Sequence, residues 1–142
     1  MKFDEFTIGD IYKTNEVITD KNDMMEYAEK YDPQYFHLDE EAAKESPFGS
    51  LIASGFYSMN AVWANFIRMD VLGRDCLGGL GIDEIKWKVP VRPNDTLVGE
   101  YTITDKRLLS DKQRGIVSLG VSIKNQEKQE VLTVKTKILL AV

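Results

Sequence analysis

The chain has 142 residues, of which 43% are hydrophobic and 29% are charged, and its formal net charge is −5. This length and composition predict one globular domain over residues 1–142. The acidic balance argues against a nucleic-acid-binding surface, and no apolar run is long enough to cross a bilayer. Cys76 is alone and the N-terminus lacks a signal-peptide pattern, so we expect a cytoplasmic protein with no internal disulfide.

The N-terminal part predicts one strand and two helices. Residues 11–18 alternate mildly between β-branched or aromatic and polar side chains, which indicates a strand. A helix should then run to about Tyr31, because Pro33 keeps the residue before it out of the helical conformation. Asp39 can cap a short second helix that ends near Ser46.

The centre of the chain predicts a glycine- and serine-containing loop followed by a long apolar helix. The loop covers residues 48–55, and Ser54 is a candidate N-cap. Residues 55–72 carry apolar side chains around much of the helix, which favours burial on several sides. Gly73 is expected to end this helix, and a loop is expected through Gly78 and Gly79.

The C-terminal half predicts strands, because apolar and polar residues alternate there with a period of two. Short polar segments separate the strands, as in consecutive antiparallel pairs. Strands with one apolar face and a single apolar helix predict an α+β fold, with an antiparallel sheet curled round the helix. The strand segments are residues 85–89, 97–103, 117–123 and 132–138.

A carboxylate and the only histidine lie close together in the sequence. Asp32 precedes His37 by five residues, and the aromatic Tyr35 and Phe36 lie between them. An acid and an imidazole placed beside apolar surface can share proton-transfer work. Burial of Asp32 would raise its pKa towards the working range. The alternative is structural: an aspartate before proline often ends a helix, and a single histidine is often a surface or core residue.

Three segments resemble the MaoC-like acyl dehydratase family, which includes the R-specific enoyl-CoA hydratases and has a hot-dog fold. They occur in the same order as in the family. Together with the predicted strands, the resemblance covers nearly the whole chain. The segments are YDPQYFHLD (31–39), FGSLIASG (48–55) and WKVPVRPNDTL (87–97).

The resemblance implies catalytic roles for Asp32, His37 and Gly55, the last through a backbone N–H that binds the thioester oxygen. It also implies a sheet wrapped round the helix that starts at Gly55, and at least a homodimer. Three departures are visible: Pro33-Gln34 replaces the usual Asn-Pro, Ser54 replaces a common histidine, and the bulky Trp63 takes the position of a small hydroxyl residue in hydratases. The candidate substrate-binding residues are Gln34, Ser54, Phe56 and Trp63.

Each of these residues also has a structural explanation. Ser54 can simply cap the helix, Gly55 can serve backbone shape, Gln34 can be an exposed turn residue, and Trp63 can pack in the core. Five basic residues could contact the phosphates of coenzyme A, and these are Arg68, Arg74, Lys86, Lys88 and Arg92. For each of them, a solvated position on the surface is the alternative.

The resulting hypothesis is a lyase that reversibly hydrates a trans-2-enoyl thioester, with coenzyme A as the expected carrier. It needs no cofactor beyond the coenzyme A of its substrate, and no metal-ligand motif is visible. A hot-dog thioesterase and a non-catalytic acyl-CoA-binding module are the alternatives.

Overall fold

A computed structural model describes residues 1–142, with four α-helices, two short 3₁₀ turns and six β-strands. The helices are α1 (Lys21–Tyr31), α2 (Tyr35–Leu38), α3 (Glu40–Lys44) and α4 (Gly55–Arg68), and the 3₁₀ turns are Phe3–Glu5 and Gly73–Asp75. The strands are β1 (Ile11–Lys13), β2 (Val17–Ile18), β3 (Cys76–Trp87), β4 (Thr96–Leu108), β5 (Arg114–Lys124) and β6 (Glu130–Ala141).

The strands form one antiparallel sheet in the order β1-β4-β5-β6-β3, and β2 also pairs with β4. Alternate residues of β5 are buried, as expected for a sheet with one apolar face. The α+β prediction with an antiparallel sheet is therefore confirmed. β3 lies at one edge of the sheet and exposes several large apolar side chains.

The core lies between α4 and the apolar face of the sheet. Val62 and Phe66 of α4 are buried, and the Phe66 ring stacks on Tyr101 of β4 with ring centroids 4.1 Å apart. This face of α4 explains its apolar pattern, because burial of aromatic and aliphatic side chains is the main source of folding free energy. The opposite side of α4 is partly exposed, with Phe56 and Ile67 above 40% accessibility.

Three predictions of secondary structure were wrong. Residues 11–18 form two strands, because Thr14 turns its side chain to the Gly99 N–H, which donates to Thr14 Oγ1 at 2.9 Å. α4 ends at Arg68, four residues before the expected end, and Asp70 adopts a left-handed conformation with φ 59°. Gly78 and Gly79 lie within β3, where pairing with β6 and local register shifts accommodate them.

The predicted N-cap residues of α3 and α4 lie at the expected positions. Asp39 accepts a hydrogen bond from the Ala42 N–H at 3.0 Å at the start of α3. Ser54 occupies the N-cap position of α4, although its hydroxyl makes no capping bond. None of the helices has the combined length and apolarity needed to pass through a bilayer.

Candidate active site

Asp32 and His37 are brought together by the break between α1 and α2. Asp32 is the C-cap residue of α1, and its N–H donates to Ala28 O at 2.9 Å. Pro33 cannot continue the helix, so the chain turns and starts α2 after Gln34. His37 lies in α2 with only 5% of its surface exposed, and its Nε2 is 3.3 Å from Asp32 Oδ2.

The carboxylate of Asp32 has three polar neighbours from this chain. Ser54 Oγ donates to Oδ2 at 2.7 Å, and Gln34 Nε2 donates to Oδ1 at 2.8 Å. The third neighbour is His37 Nε2. Gln34 and Ser54, which both lie at positions that depart from the family pattern, therefore contact the same carboxylate.

These contacts reverse the expected pKa of Asp32. Burial raises the pKa of Asp32, but hydrogen bonds from Gln34 and Ser54 and the nearby His37 together lower it below its usual value. The expectation of a raised pKa was wrong, because the sequence did not show that two donors would reach the carboxylate. Asp32 is therefore an anion at neutral pH, and both of its carboxylate oxygens are hydrogen-bond acceptors.

The His37 ring has a defined orientation. Its Nδ1 lies 2.8 Å from Ile52 O, and since a carbonyl only accepts, Nδ1 carries a proton and donates it. In the neutral ring, the Nε2 lone pair then faces the Asp32 carboxylate. The contact is satisfied when His37 is protonated or when a water molecule donates to both atoms.

Gly55 is the first residue of α4 and is covered by the indole of Trp87. A Cβ added to Gly55 would overlap the indole nitrogen, so this position requires glycine for close approach. The first N–H groups of a helix have no partner within it, and Ser54 does not cap them. The Gly55 N–H is therefore free to bind a developing negative charge, assisted by the helix dipole.

His37 and Gly55 line the same cavity, which has a volume of about 340 Å³. Its other walls come from the loop before α4, the first turn of α4, the segment 87–91 at and after the end of β3, and the start of β6. They include Ser58, Trp87 and Leu132. A mainly apolar cavity with a few polar groups is typical of a small-molecule site.

The remaining predicted substrate-binding residues lie further away. Phe56 is 44% exposed and packs edge-on against Trp87, with ring centroids 5.1 Å apart. Trp63 packs against Phe66 and Tyr101 and lines a separate cavity of about 100 Å³. The structure does not bring Trp63 to the cavity of His37, because it follows Gly55 by two helical turns.

Most residues of the cavity were not predicted as site residues, and two of them, Ser58 and Trp87, contain polar groups or contact Gly55. Ser58 follows Gly55 by three residues, a spacing that places both on one side of a helix and could have indicated it. Trp87 was included only as part of a strand and a family segment. Its contact with Gly55 depends on tertiary packing between β3 and α4, which no local sequence pattern shows.

An antiparallel sheet packed on one main helix, with an acid–histidine pair beside the helix N-terminus, defines a hot-dog protein of the dehydratase type. The model of the MaoC like domain matches residues 4–125, and the chain belongs to this family. It is 33% identical over 140 residues to the uncharacterized protein YdeM of Bacillus subtilis (strain 168), covering 99% of each chain.

Solved structures show the same fold. The MaoC-like dehydratase from Rhodospirillum rubrum superposes with a TM-score of 0.91 at 28% identity, covering 99% of this chain and 97% of that one. The R-hydratase PhaJ1 from Pseudomonas aeruginosa superposes with a TM-score of 0.76 at 23% identity, covering 99% and 89%. The predicted family and hot-dog fold are thus confirmed.

Proposed function

We propose that the protein is a hydro-lyase that reversibly adds water to the double bond of a trans-2-enoyl thioester. The observation that carries this proposal is the contact between Asp32 and His37 at 3.3 Å, where His37 lines the same cavity as Gly55 with its free N–H. Hydration requires a base for water, an acid for the α carbon and a donor for the carbonyl oxygen. The three groups provide these functions.

The proposed reaction starts with Asp32 ionised and His37 protonated. Asp32 takes a proton from a water molecule, and the resulting hydroxide adds to C3 of the enoyl group while electron density moves to the thioester oxygen. The Gly55 N–H stabilises the charge on that oxygen. His37 then gives a proton to C2, and the proton on Asp32 passes to His37 across their contact, which restores the starting state. The lowered pKa of Asp32 keeps this residue in the ionised form with which the proposed reaction starts.

Coenzyme A is the carrier that we propose, and no other cofactor takes part in these steps. Lys88 lines the cavity and its partly exposed ammonium group, paired with Glu130, offers a cation for an anionic carrier. The neighbours with related folds include (R)-hydratases and a 3R-hydroxyacyl-ACP dehydratase, so an acyl-carrier protein is the second carrier to assay.

The direct experiment is hydration of crotonyl-CoA and longer enoyl-CoAs by the purified protein, followed by loss of the enoyl absorbance and by chromatography of the products. We expect 3-hydroxyacyl-CoA to form with wild type. Release of free coenzyme A without a hydroxyacyl product would contradict the proposal and indicate thioester hydrolysis. Absence of turnover, despite binding of the enoyl-CoA, would indicate a binding module.

We further propose that two copies of the chain associate through the edge strand β3. This strand has an unpaired edge, and its segment from Cys76 to Ile82 exposes three large apolar side chains, a surface that soluble proteins usually cover. Light scattering after gel filtration should give twice the chain mass of 16.2 kDa. A monomer at all concentrations would contradict this. The exposed residues are Leu77, Leu80 and Ile82.

A further inference from the structure

Ser58 has a buried hydroxyl that the proposed reaction has not used. Its residue surface is 1% exposed, and its Oγ has no hydrogen-bond partner in the protein. A serine hydroxyl inside a helix can bond to the carbonyl four residues earlier, which here is Ser54 O. Ser54 O accepts the usual helical bond from the Ser58 N–H at 3.2 Å, but the Ser58 hydroxyl makes no bond to it. Because buried polar groups are almost always paired, the free hydroxyl indicates a partner that comes from outside the chain.

The position of Ser58 shows where that partner lies. Ser58 follows Gly55 by three residues, so the two lie on the same side of α4, and helix side chains lean back towards the N-terminus. Both residues line the cavity of His37. The Ser58 hydroxyl is thus directed to the turn of α4 that carries the free Gly55 N–H.

The Asp32–His37 pair lies on a different segment from Gly55 and Ser58. In the proposed reaction this pair acts on the water molecule. That pair comes from α1 and α2, whereas Gly55 and Ser58 both belong to α4. A ligand atom that reaches the α4 side of the cavity meets two donors and no anion from that helix, because the first turn of α4 has no acidic residue. Such a place suits an oxygen that accepts hydrogen bonds and gains negative charge.

We propose that the Ser58 hydroxyl donates a second hydrogen bond to the thioester carbonyl oxygen of the substrate, beside the Gly55 N–H. This inference rests on the proposed function. When hydroxide adds to C3, the electron pair of the double bond moves towards the carbonyl, and its oxygen becomes enolate-like. The Ser58 bond strengthens at that stage and weakens again when C2 accepts its proton. Apolar neighbours such as Ile52 and Leu132 exclude water and strengthen the bond.

The test compares Ser58→Ala with wild type and with a control, Ser118→Ala, whose serine lies on β5 and does not line this cavity. Removal of one oxyanion donor lowers kcat by about 10²-fold. We expect this loss in Ser58→Ala with a KM within a few-fold of wild type, and no loss in the control. The thermal midpoint should stay equal or rise, because the deleted hydroxyl has no partner in the protein.

A conservative variant and a spectroscopic measurement separate this role from packing. Ser58→Thr keeps the hydroxyl and should recover most of the lost rate. Butyryl-CoA labelled with ¹³C at the carbonyl cannot be hydrated, so its bound C=O stretching frequency reports hydrogen bonding alone. We expect a shift to lower frequency on binding to wild type and a clearly smaller shift with Ser58→Ala.

The outcomes for Ser58 and for the proposed function are distinguishable. Hydration by wild type with an unchanged kcat in Ser58→Ala would overturn the Ser58 role and leave the hydratase proposal intact. If wild type binds the thioesters without hydrating them, the hydratase proposal fails, and the carbonyl frequency decides the Ser58 role by the same comparison. If wild type binds none of the thioesters, both proposals are overturned.

Discussion

Two cavities lie along α4, and they differ in whether the polar groups in their walls lack hydrogen-bond partners. The cavity at the N-terminal end of the helix, about 340 Å³, has His37, the Gly55 N–H and the Ser58 hydroxyl around it, and Ser58 has no partner in the protein. The cavity near the middle, about 100 Å³, is lined mostly by apolar side chains. Trp63 packs there against Tyr101. One helix thus combines two regions. At its proposed reactive end, the Gly55 N–H and the Ser58 hydroxyl have no partner in the protein, and its packing face stabilises the fold.

The strongest test of this division is Asp32→Asn. The amide keeps the shape of the carboxylate but cannot take a proton from water, so we expect kcat/KM for crotonyl-CoA to fall by about 10³-fold. The fold should persist, because α1 and its C-cap geometry depend on the backbone N–H of residue 32. Activity is measured by enoyl-CoA hydration and structure by circular dichroism.

Phe66→Ala is the opposite test, because it alters the packing face and leaves the reactive end intact. Phe66 is 1% exposed and stacks on Tyr101, so its truncation should lower the free energy of unfolding by about 3–5 kcal/mol. Urea denaturation measures this loss. At low temperature, where the variant remains folded, kcat should stay within a few-fold of wild type. A 10²-fold loss of kcat in folded Phe66→Ala, or full activity in Asp32→Asn, would contradict the division.

The features that the sequence predicted well depend on local physics. Pro33 ends α1 at the expected place, Asp39 caps α3, and alternation in β5 identifies its buried face. The spacing of Asp32 and His37 also indicated a pair, and the structure places their side chains in contact. Each of these depends on residues a few positions apart, so a single sequence contains the signal.

What the sequence did not show depends on contacts between distant segments. Ser54 Oγ reaches Asp32 across 22 positions, and this contact helps to reverse the expected pKa shift. Gly78 and Gly79 looked like a loop until pairing with β6 placed them in β3. Trp87 meets Gly55 only because β3 passes the start of α4. In each case tertiary structure overrides or supplements the local preference.

Gly55→Ala tests whether the reactive end needs a bare backbone. Alanine favours the helix by about 0.5–1 kcal/mol relative to glycine, but its methyl group would overlap the Trp87 indole. We expect the indole to move, the approach to the Gly55 N–H to be obstructed, and kcat/KM to fall by about 10²-fold, as for loss of an oxyanion donor.

Ser118→Ala is the control, because Ser118 lies on β5, away from the cavity of Gly55 and from the edge strand β3. Its activity should equal that of wild type. Tryptophan fluorescence provides a second measurement, since displacement of Trp87 changes the exposure of its ring. Unchanged fluorescence and activity in Gly55→Ala would show that the contact between Gly55 and Trp87 has no part in the site.

The smallest expected effect concerns pH and the hydrogen bond from Ser54. The pKa of Asp32 is lowered in the folded protein, so its interactions stabilise the fold above the ordinary aspartate pKa, and this stabilisation is lost as pH falls through the lowered pKa. Ser54→Ala removes one of the donors that lower the pKa. The acid limb of the kcat/KM profile should therefore move to higher pH in the variant.

The loss of stability in Ser54→Ala should depend on pH. The difference in unfolding free energy between wild type and Ser54→Ala should be present at neutral pH and shrink in acid, where Asp32 is protonated in both proteins. Gln34→Ala, which removes the donor to the other carboxylate oxygen, should move the acid limb in the same direction. An acid limb that stays in place in both variants would mean that these residues orient Asp32 without setting its protonation, and that another group controls the acid limb.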